Sequence, residues 1–131
     1  MAYDTPVRVS YSFPLHDFGA GAGAHAIKPP PGKTAGNVVD IQLFNIEETF
    51  TQTTTPGYVR LGTSGDADKY AELNCGAAAA TNAYNMDDGG TWGDDLDLTA
   101  DSISQVEVVF VSPTGGTPAG IACVLVVVDW F

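Results

Sequence analysis

The stretch "GIACVLVVVDWF", residues 120–131, decides the fold prediction because a strand formed from it is apolar on both faces. Every side chain from Ile121 to Val128 is apolar, and the β-branched content favours a strand. Alternation divides the stretch into two rows, with Val124, Val126 and Val128 on one face and Cys123, Leu125 and Val127 on the other. An apolar strand has to be covered on both faces. We therefore expect one row to fill a sandwich and the other to lie under a loop or a second subunit.

Further strand patterns recur along the chain between turns rich in Gly and Pro. They are "PVRVSYSF" (6–13), "VVDIQLFNI" (38–46), "EETFTQTTT" (47–55), "YVRLGTS" (58–64) and "SISQVEVVFVS" (102–112), whereas "KYAELNCG" (69–76) is ambiguous. We expect 102–112 to pair with the final stretch as a C-terminal hairpin. Seven or eight strands with long connections predict one all-β domain over 1–131, a β-sandwich that is jelly-roll-like.

Residues 14–37, "PLHDFGAGAGAHAIKPPPGKTAGN", interrupt the strand pattern. The Ala-Gly repeat has few side chains to pack, and "KPPPG" favours an extended, polyproline-like path. A connection of this length in a compact domain is usually functional or disordered. We predict an extended loop or arm near the N-terminus that orders against a neighbouring molecule.

The net charge of −11, from 16 acidic against 5 basic residues, restricts the class of partner. Nucleic-acid backbones and anionic membranes need clustered Lys and Arg, which are scattered here, so neither is an expected partner. The final apolar run is shorter than the roughly 20 residues of a membrane helix. The "MAYDTP" start lacks the pattern of a secretory signal, and we expect synthesis in a host cytoplasm.

Catalytic motifs are weak in this sequence. His16 and Asp17 are adjacent, and adjacent residues of an extended chain point in opposite directions, so they do not form a dyad by themselves. "GxSxG" is absent, and "PPPGKT" lacks the first Gly of a phosphate-binding loop because Ile27 occupies that position. We predict that the chain is not an enzyme. A hydrolase that uses His16 or His25 remains an alternative.

The acidic region "NMDDGGTWGDDLDLTAD" (85–101) offers two further interpretations. Its carboxylates could attract calcium, but the spacing of known calcium loops is absent, and we favour a solvated loop or a contact for a basic partner. Trp92, with Tyr84 nearby in sequence, is either a stacking platform for a sugar or an anchor at a protein interface.

The two cysteines, Cys75 and Cys123, are predicted to be reduced and buried. A disulfide between them requires the fold to bring them together, which the sequence does not decide. They do not make a zinc site without neighbouring His ligands. No metal and no cofactor is predicted.

Three features resemble contact surfaces: the arm, the Thr-rich segment around "TFTQTTTPGYVRL", and the apolar ending. The residues predicted to lie at an interface are Trp130, Phe131, Tyr58, Pro29, Pro30 and Pro31. The second apolar row of the final strand predicts a homo-oligomer, since a large exposed apolar patch indicates association. A cyclic trimer is favoured and a dimer is the alternative.

The whole chain resembles the small cement (decoration) proteins of tailed-bacteriophage capsids. The resemblance rests on the "MAYDTP" start, the acidic composition, "NVVDIQLFN" and "VEVVFVSPTGGTPAGIACVLVVVDWF". It implies a non-enzymatic β-rich module, often trimeric, that binds the major capsid protein on the outer surface of the shell and stabilises it. No residue role transfers with it. A carbohydrate- or receptor-binding β-sandwich of a virion or tail fibre, using Trp92 and Tyr84, is the alternative.

Overall fold

The computed structural model describes residues 6–93, 97–98 and 106–131 and is nearly all β. In chain order the elements are β1 (Val7–Asp17), β2 (Gly23–Ala26), β3 (Gly36–Thr51), β4 (Tyr58–Thr63), β5 (Asp66–Asn74), β6 (Tyr84–Asn85), α1 (Met86–Gly89), β7 (Gly90–Trp92), β8 (Asp97–Leu98), β9 (Val106–Val111) and β10 (Ala119–Trp130). The predicted all-β sandwich is confirmed. The start of the predicted 102–112 strand lies outside the described residues.

Two antiparallel sheets form the sandwich. Sheet A has the order β1-β10-β3-β6, with β8 also paired to β3, and sheet B has the order β2-β9-β4-β5-β7. The chain crosses from one sheet to the other at nearly every connection, and the β4–β5 hairpin is the exception among the described elements. Strands distant in sequence are therefore neighbours in space.

The last strand, β10, occupies the middle of sheet A. It pairs with β1 from Val7↔Trp130 to Asp17↔Ile121, and with β3 from Gly36↔Trp130 to Thr51↔Ala119. The predicted C-terminal hairpin with 102–112 is wrong, because β9 belongs to sheet B and pairs with β2 and β4.

The connection between β9 and β10 explains why these two strands do not pair. Thr55 and Thr114 form an isolated antiparallel bridge, and the Thr53 amide donates to the Gly115 carbonyl at 3.2 Å. Gly115 and Gly116 both have positive φ, which suits Gly because it has no Cβ. The connection is therefore bound to the end of β3 and enters sheet A instead of turning back on β9.

The segment predicted as one extended arm, 14–37, is largely built into the sandwich. Residues 14–17 continue β1, and 23–26 form β2 at the edge of sheet B. Ile27 is buried, and its amide donates to the Val106 carbonyl at 3.1 Å. Residues 18–22 form the turn between β1 and β2, and residues 27–35, around the three prolines, connect β2 to β3.

Inner rows of both sheets fill the core. Val124, Val126 and Val128 of β10 are fully buried, as predicted for one of its two rows. They share the core with Ile41 and Leu43 of β3, Val59 and Leu61 of β4, and Val106, Val108 and Phe110 of β9. Burying this apolar surface is the main stabilising contribution to such a sandwich, at about 25 cal/mol per Å² removed from water.

Trp130 closes the core at the end of β10. Its side chain is 0% exposed, so it is a core residue and has no free surface for the interface role predicted for it. The indole Nε1–H donates to Tyr11 Oη at 2.9 Å, and Tyr11 Oη–H donates to the Lys28 carbonyl at 2.6 Å. Gly36 lies directly beside the ring, where a Cβ would approach Trp130 Cε3 to 2.7 Å.

We expect Trp130→Ala to destabilise the chain by about 3–5 kcal/mol, because it removes a fully buried aromatic side chain. Urea unfolding followed by circular dichroism measures this change. Val7→Ala, at a 41% exposed position of β1, is the control and should have little effect. Equal unfolding midpoints for wild type and Trp130→Ala would contradict the core role of Trp130.

Candidate functional site

The two histidines lie on one aromatic cluster. The rings of His16 and His25 stand 5.0 and 5.1 Å from the Phe110 ring, although β1 and β2 belong to different sheets. His16 also contacts Phe18 edge-on at 4.8 Å, and its Nε2 lies 2.8 Å from the Gly21 carbonyl oxygen. These contacts give both side chains a packing role.

Asp17 takes no part in a His–Asp pair in the structure. Its Oδ1 accepts a hydrogen bond from the Ala20 amide at 3.2 Å and so supports the turn between β1 and β2. No group of three or more potential metal ligands occurs within the described parts of the chain. Neither observation supports the hydrolase alternative.

The two cysteines occupy different environments and are both free thiols. Cys75 is fully buried beyond the end of β5, and burial raises the pKa of its thiol. Cys123 lies on the outer row of β10, next to Asn45 of β3. The fold thus does not join them.

The acidic region begins with a short helix, α1. Asn85 and Asp88 form a reciprocal capping box, in which Asn85 Oδ1 accepts from the Asp87 amide and Asp88 Oδ2 accepts from the Asn85 amide. The Asp88 carboxylate is thus used for local structure. Much of the remaining acidic loop, where calcium was considered, lies outside the described residues.

Trp92 and Tyr84 are eight residues apart in the sequence and line different cavities. Tyr84 of β6 is 7% exposed, and its Oη–H donates to the Asn74 carbonyl at 2.6 Å. Trp92 of β7 is 44% exposed at the edge of sheet B. A single glycan platform built from both rings, as the sequence suggested, is therefore not formed.

The cleft beside Trp92, called here the Trp92 cleft, has a volume of about 370 Å³. Its lining residues are Asp66, Asp68, Lys69, Glu72, Thr91, Trp92 and Gly93. They come from β5 and β7, which pair directly through Glu72↔Thr91 and Ala71↔Trp92. The short edge strand thus presents an aromatic ring beside several carboxylates.

Glu72 is held in place from the neighbouring strand. Arg60 Nε donates to Glu72 Oε2 at 2.6 Å across the β4–β5 pair. The Arg60 guanidinium also lies 4.7 Å from the centroid of the Tyr58 ring. Tyr58, predicted at an interface, is therefore half-buried under a cation on the outer face of sheet B.

The other predicted interface residues meet at one end of the sandwich. The Thr34 amide donates to the Phe131 carbonyl at 3.1 Å, and the Phe131 amide donates to the Ala35 carbonyl at 2.8 Å. These bonds hold the segment that follows Pro29, Pro30 and Pro31 against the half-buried Phe131. Residues 28–35, which contain the three prolines and are bonded to Phe131, are called here the proline loop.

The outer face of sheet A carries the second apolar row. Leu125 is half-buried, whereas Cys123 and Val127 are 9% and 8% exposed. Phe44 lies opposite Cys123 on β3 and is 39% exposed. Phe44 was not among the residues predicted for an interface, although its position in "QLFN" places it on the face opposite Leu43.

A groove continues this face towards β6. It has a volume of about 810 Å³ and is lined by Phe44, Asn45 and Tyr84, among other residues of β3 and of the segment before α1. Asn45 has a φ of 48°, a left-handed conformation that Asn tolerates better than most residues. This conformation interrupts the extended path of β3 directly after Phe44.

Comparisons with known proteins give a likeness of fold. No protein-family model matches the sequence, and no curated protein matches it significantly. A chain of a solved structure described as the cyanophage Pam1 capsid asymmetric unit is similar, with a TM-score of 0.52 and 16% sequence identity. The match covers 95% of this chain and 85% of that chain. Separately, no helix of the described residues has the length and hydropathy of a membrane span.

We expect Tyr84→Phe to destabilise the chain by about 1–2 kcal/mol, since it leaves the buried Asn74 carbonyl without its donor. Trp92→Ala should cost clearly less, because the Trp92 side chain is largely outside the core. Urea unfolding of both variants measures the difference. A larger loss for Trp92→Ala would show that this ring supports the fold.

The pH dependence gives a second readout for Tyr84. Desolvation raises the pKa of Tyr84 above its ordinary value, so the unfolded chain releases this proton first as the pH rises. Stability should therefore fall as the pH increases beyond about 10. Tyr84→Phe should reduce that decline, and identical profiles would contradict the assignment.

Proposed function

We propose that this chain is a non-enzymatic structural protein of a phage virion that decorates the outer surface of the capsid as an oligomer. The observation that carries the proposal is the likeness of fold over nearly the whole chain to a chain from the cyanophage Pam1 capsid asymmetric unit. Under this proposal its partners are the major capsid protein and further copies of itself. Its location is the virion exterior after synthesis in the host cytoplasm.

The strand order supports a jelly roll as the finer description of the fold. Sheet A, β1-β10-β3-β6, and sheet B, β2-β9-β4-β5, alternate along the chain in the manner of two Greek keys. In this description β6 and β8 share one strand position, and β7 extends sheet B. Jelly rolls occur in viral capsid and lectin domains, so this topology suits both the decoration proposal and its alternative.

The outer face of sheet A supports oligomerisation. Leu125 lies between Ser12 of β1 and Gln42 of β3, neither of which carries a charge. The Arg8–Asp129 ion pair stands at the end of the sheet. The Asp40 carboxylate, opposite Val127 on the same face, accepts hydrogen bonds from the side-chain amides of Gln42 and Asn85. A chain with a net charge of −11 can approach a copy of itself most easily through the surface around Leu125.

The carbohydrate- or receptor-binding module is the second candidate. The exposure of Trp92 favours it, since exposed aromatic rings stack on sugars. Its predicted second ring, Tyr84, lines another cavity, which leaves Trp92 as the only ring of the original pair at that cleft. The decoration role is therefore preferred.

We expect the purified chain to be an oligomer, with a trimer favoured, and Leu125→Asp to shift it to a monomer. A charge in the apolar row has to be desolvated when two copies associate, and that cost opposes association. Light scattering after size-exclusion chromatography gives the mass.

Val109→Asp is the matched control, because Val109 occupies an outward, half-buried position of β9 in the other sheet. The control should remain oligomeric. A monomeric wild type, or loss of the oligomer in both variants, would contradict an interface on sheet A.

We expect the chain to co-sediment with mature capsids of the phage that encodes it, and binding to weaken at least severalfold when Pro29, Pro30 and Pro31 are replaced by Gly. The prolines fix an extended loop, and Gly restores conformational entropy that binding must remove. Deleting residues 19–32, which include the prolines, would not test the loop alone, because the deletion also removes β2 and the buried Ile27.

The triple Gly variant should keep the far-ultraviolet circular dichroism spectrum and oligomeric mass of the wild type. If this variant binds the shell as well as the wild type does, the proline loop does not contribute to the contact with the capsid. Absence of shell binding by the wild type, together with glycan binding that is lost in Trp92→Ala, would replace the decoration proposal with the carbohydrate-binding alternative.

A further inference from the structure

The Trp92 cleft has a fixed architecture. The Gly93 amide donates to the Tyr70 carbonyl at 2.9 Å, which holds the chain after Trp92 against β5. A Cβ at Gly93 would collide with the Lys69 carbonyl, so only Gly permits this close approach. The backbone that carries Trp92 is therefore held against a neighbouring strand.

The lining of this cleft is acidic. It holds three carboxylates, of Asp66, Asp68 and Glu72, against the single ammonium of Lys69, a net charge of −2. Arg60, on the adjacent strand, is already engaged by Glu72 and by the Tyr58 ring. The whole chain, including the cleft, carries a net charge of −11, which attracts cations and repels phosphate or sulfate groups.

Two cations near the cleft stand beside tyrosine rings. Arg60 stands over Tyr58 at 4.7 Å, and Lys69 Nζ stands 5.6 Å from the centroid of the Tyr70 ring. Trp92 itself is 44% exposed at the edge of sheet B. Trp is the side chain with the strongest attraction for a cation over its face.

We propose that the Trp92 cleft binds an arginine or lysine side chain on an exposed segment of the partner protein. The cation stacks on Trp92 and pairs with the carboxylate of Asp68, since Glu72 is already held by Arg60. That the partner is a capsid subunit rests on the proposed function; the chemistry of the cleft does not. The chemistry of the cleft thus indicates that the partner presents a basic side chain to sheet B.

The charge of the cleft distinguishes this occupant from a neutral sugar. A sugar uses an aromatic ring and a few hydrogen-bonding groups, and it gains nothing from the net negative charge of the lining. A guanidinium uses both the ring and the carboxylates, through stacking and charge-assisted hydrogen bonds. The described residues therefore favour the cation.

The test titrates ¹⁵N-labelled protein with acetyl-arginine amide and follows the indole N–H signal of Trp92 by NMR. Trp130, the other tryptophan, is fully buried and provides an internal reference. We expect a saturable shift of the Trp92 signal with arginine, and at least severalfold weaker binding of acetyl-citrulline amide, its neutral isostere. Because no capsid is present, the result is independent of whether the chain decorates a shell.

Matched variants assign the effect to the cleft. Asp68→Asn should weaken arginine binding about two- to fivefold, the range of an exposed ion pair. Glu47→Gln removes the same charge from β3 of the other sheet and should leave binding unchanged. Trp92→Phe should retain part of the binding, as reported by the backbone amide signals of Thr91 and Gly93, whereas Trp92→Ala should abolish the shifts of these amides.

Three results would overturn the proposal: no shift with arginine, an equal shift with citrulline, or an equal loss in Asp68→Asn and Glu47→Gln. A saturable shift with N-acetylglucosamine or galactose in place of arginine would identify the cleft as a sugar site. If arginine binds and capsids do not, the cleft chemistry stands and the decoration role fails. If capsids bind equally well to wild type and Trp92→Ala, the capsid contact lies elsewhere.

Discussion

The structure depends on a twelve-residue strand that is apolar on both faces and lies between two other strands. β10 pairs with β1 on one side and with β3 on the other, so residues near both ends of the chain meet on it. Its inner row completes the core, and its outer row leaves an apolar face on sheet A. The same strand thus accounts for the stability of the sandwich and for the surface that the oligomer proposal uses.

The end of β10 also organises the residues around it. Trp130, Tyr11 and the Lys28 carbonyl form a short chain of hydrogen bonds from the core to the start of the proline loop. Backbone bonds from Phe131 to Thr34 and Ala35 fix the other end of that loop. A segment that resembled a free arm in the sequence is thereby restrained at both ends, which lowers the entropy lost when it binds a partner.

Local patterns predicted which residues form strands, but not which strands pair. Alternation in 6–13 and 58–64 identified β1 and β4, because a period of two follows from one buried face. The pairing of β9 with β10 was wrong because a short connection favours a hairpin only when nothing else binds it, and here the Thr55–Thr114 bridge does. The exposure of Trp92 is consistent with its Gly- and Asp-rich surroundings. The buried Tyr84 donates a hydrogen bond to the Asn74 carbonyl, ten residues away, and the sequence around Tyr84 does not indicate this contact.

The two outer faces of the sandwich differ in chemistry, and this difference bears on how a decoration protein could work. Sheet A presents Leu125 between the uncharged side chains of Ser12 and Gln42, a surface that a copy with the same negative charge can approach. Sheet B presents the Arg60–Glu72 ion pair on its outer face and the acidic Trp92 cleft at its β7 edge, which suits a basic partner and repels a second copy. If copies associate through sheet A, several Trp92 clefts are carried by one assembly. Binding at the second and third clefts is then effectively intramolecular, so contacts that are individually weak add to strong attachment. A symmetric shell presents the same basic side chain many times, so each further cleft that engages strengthens the attachment of the assembly.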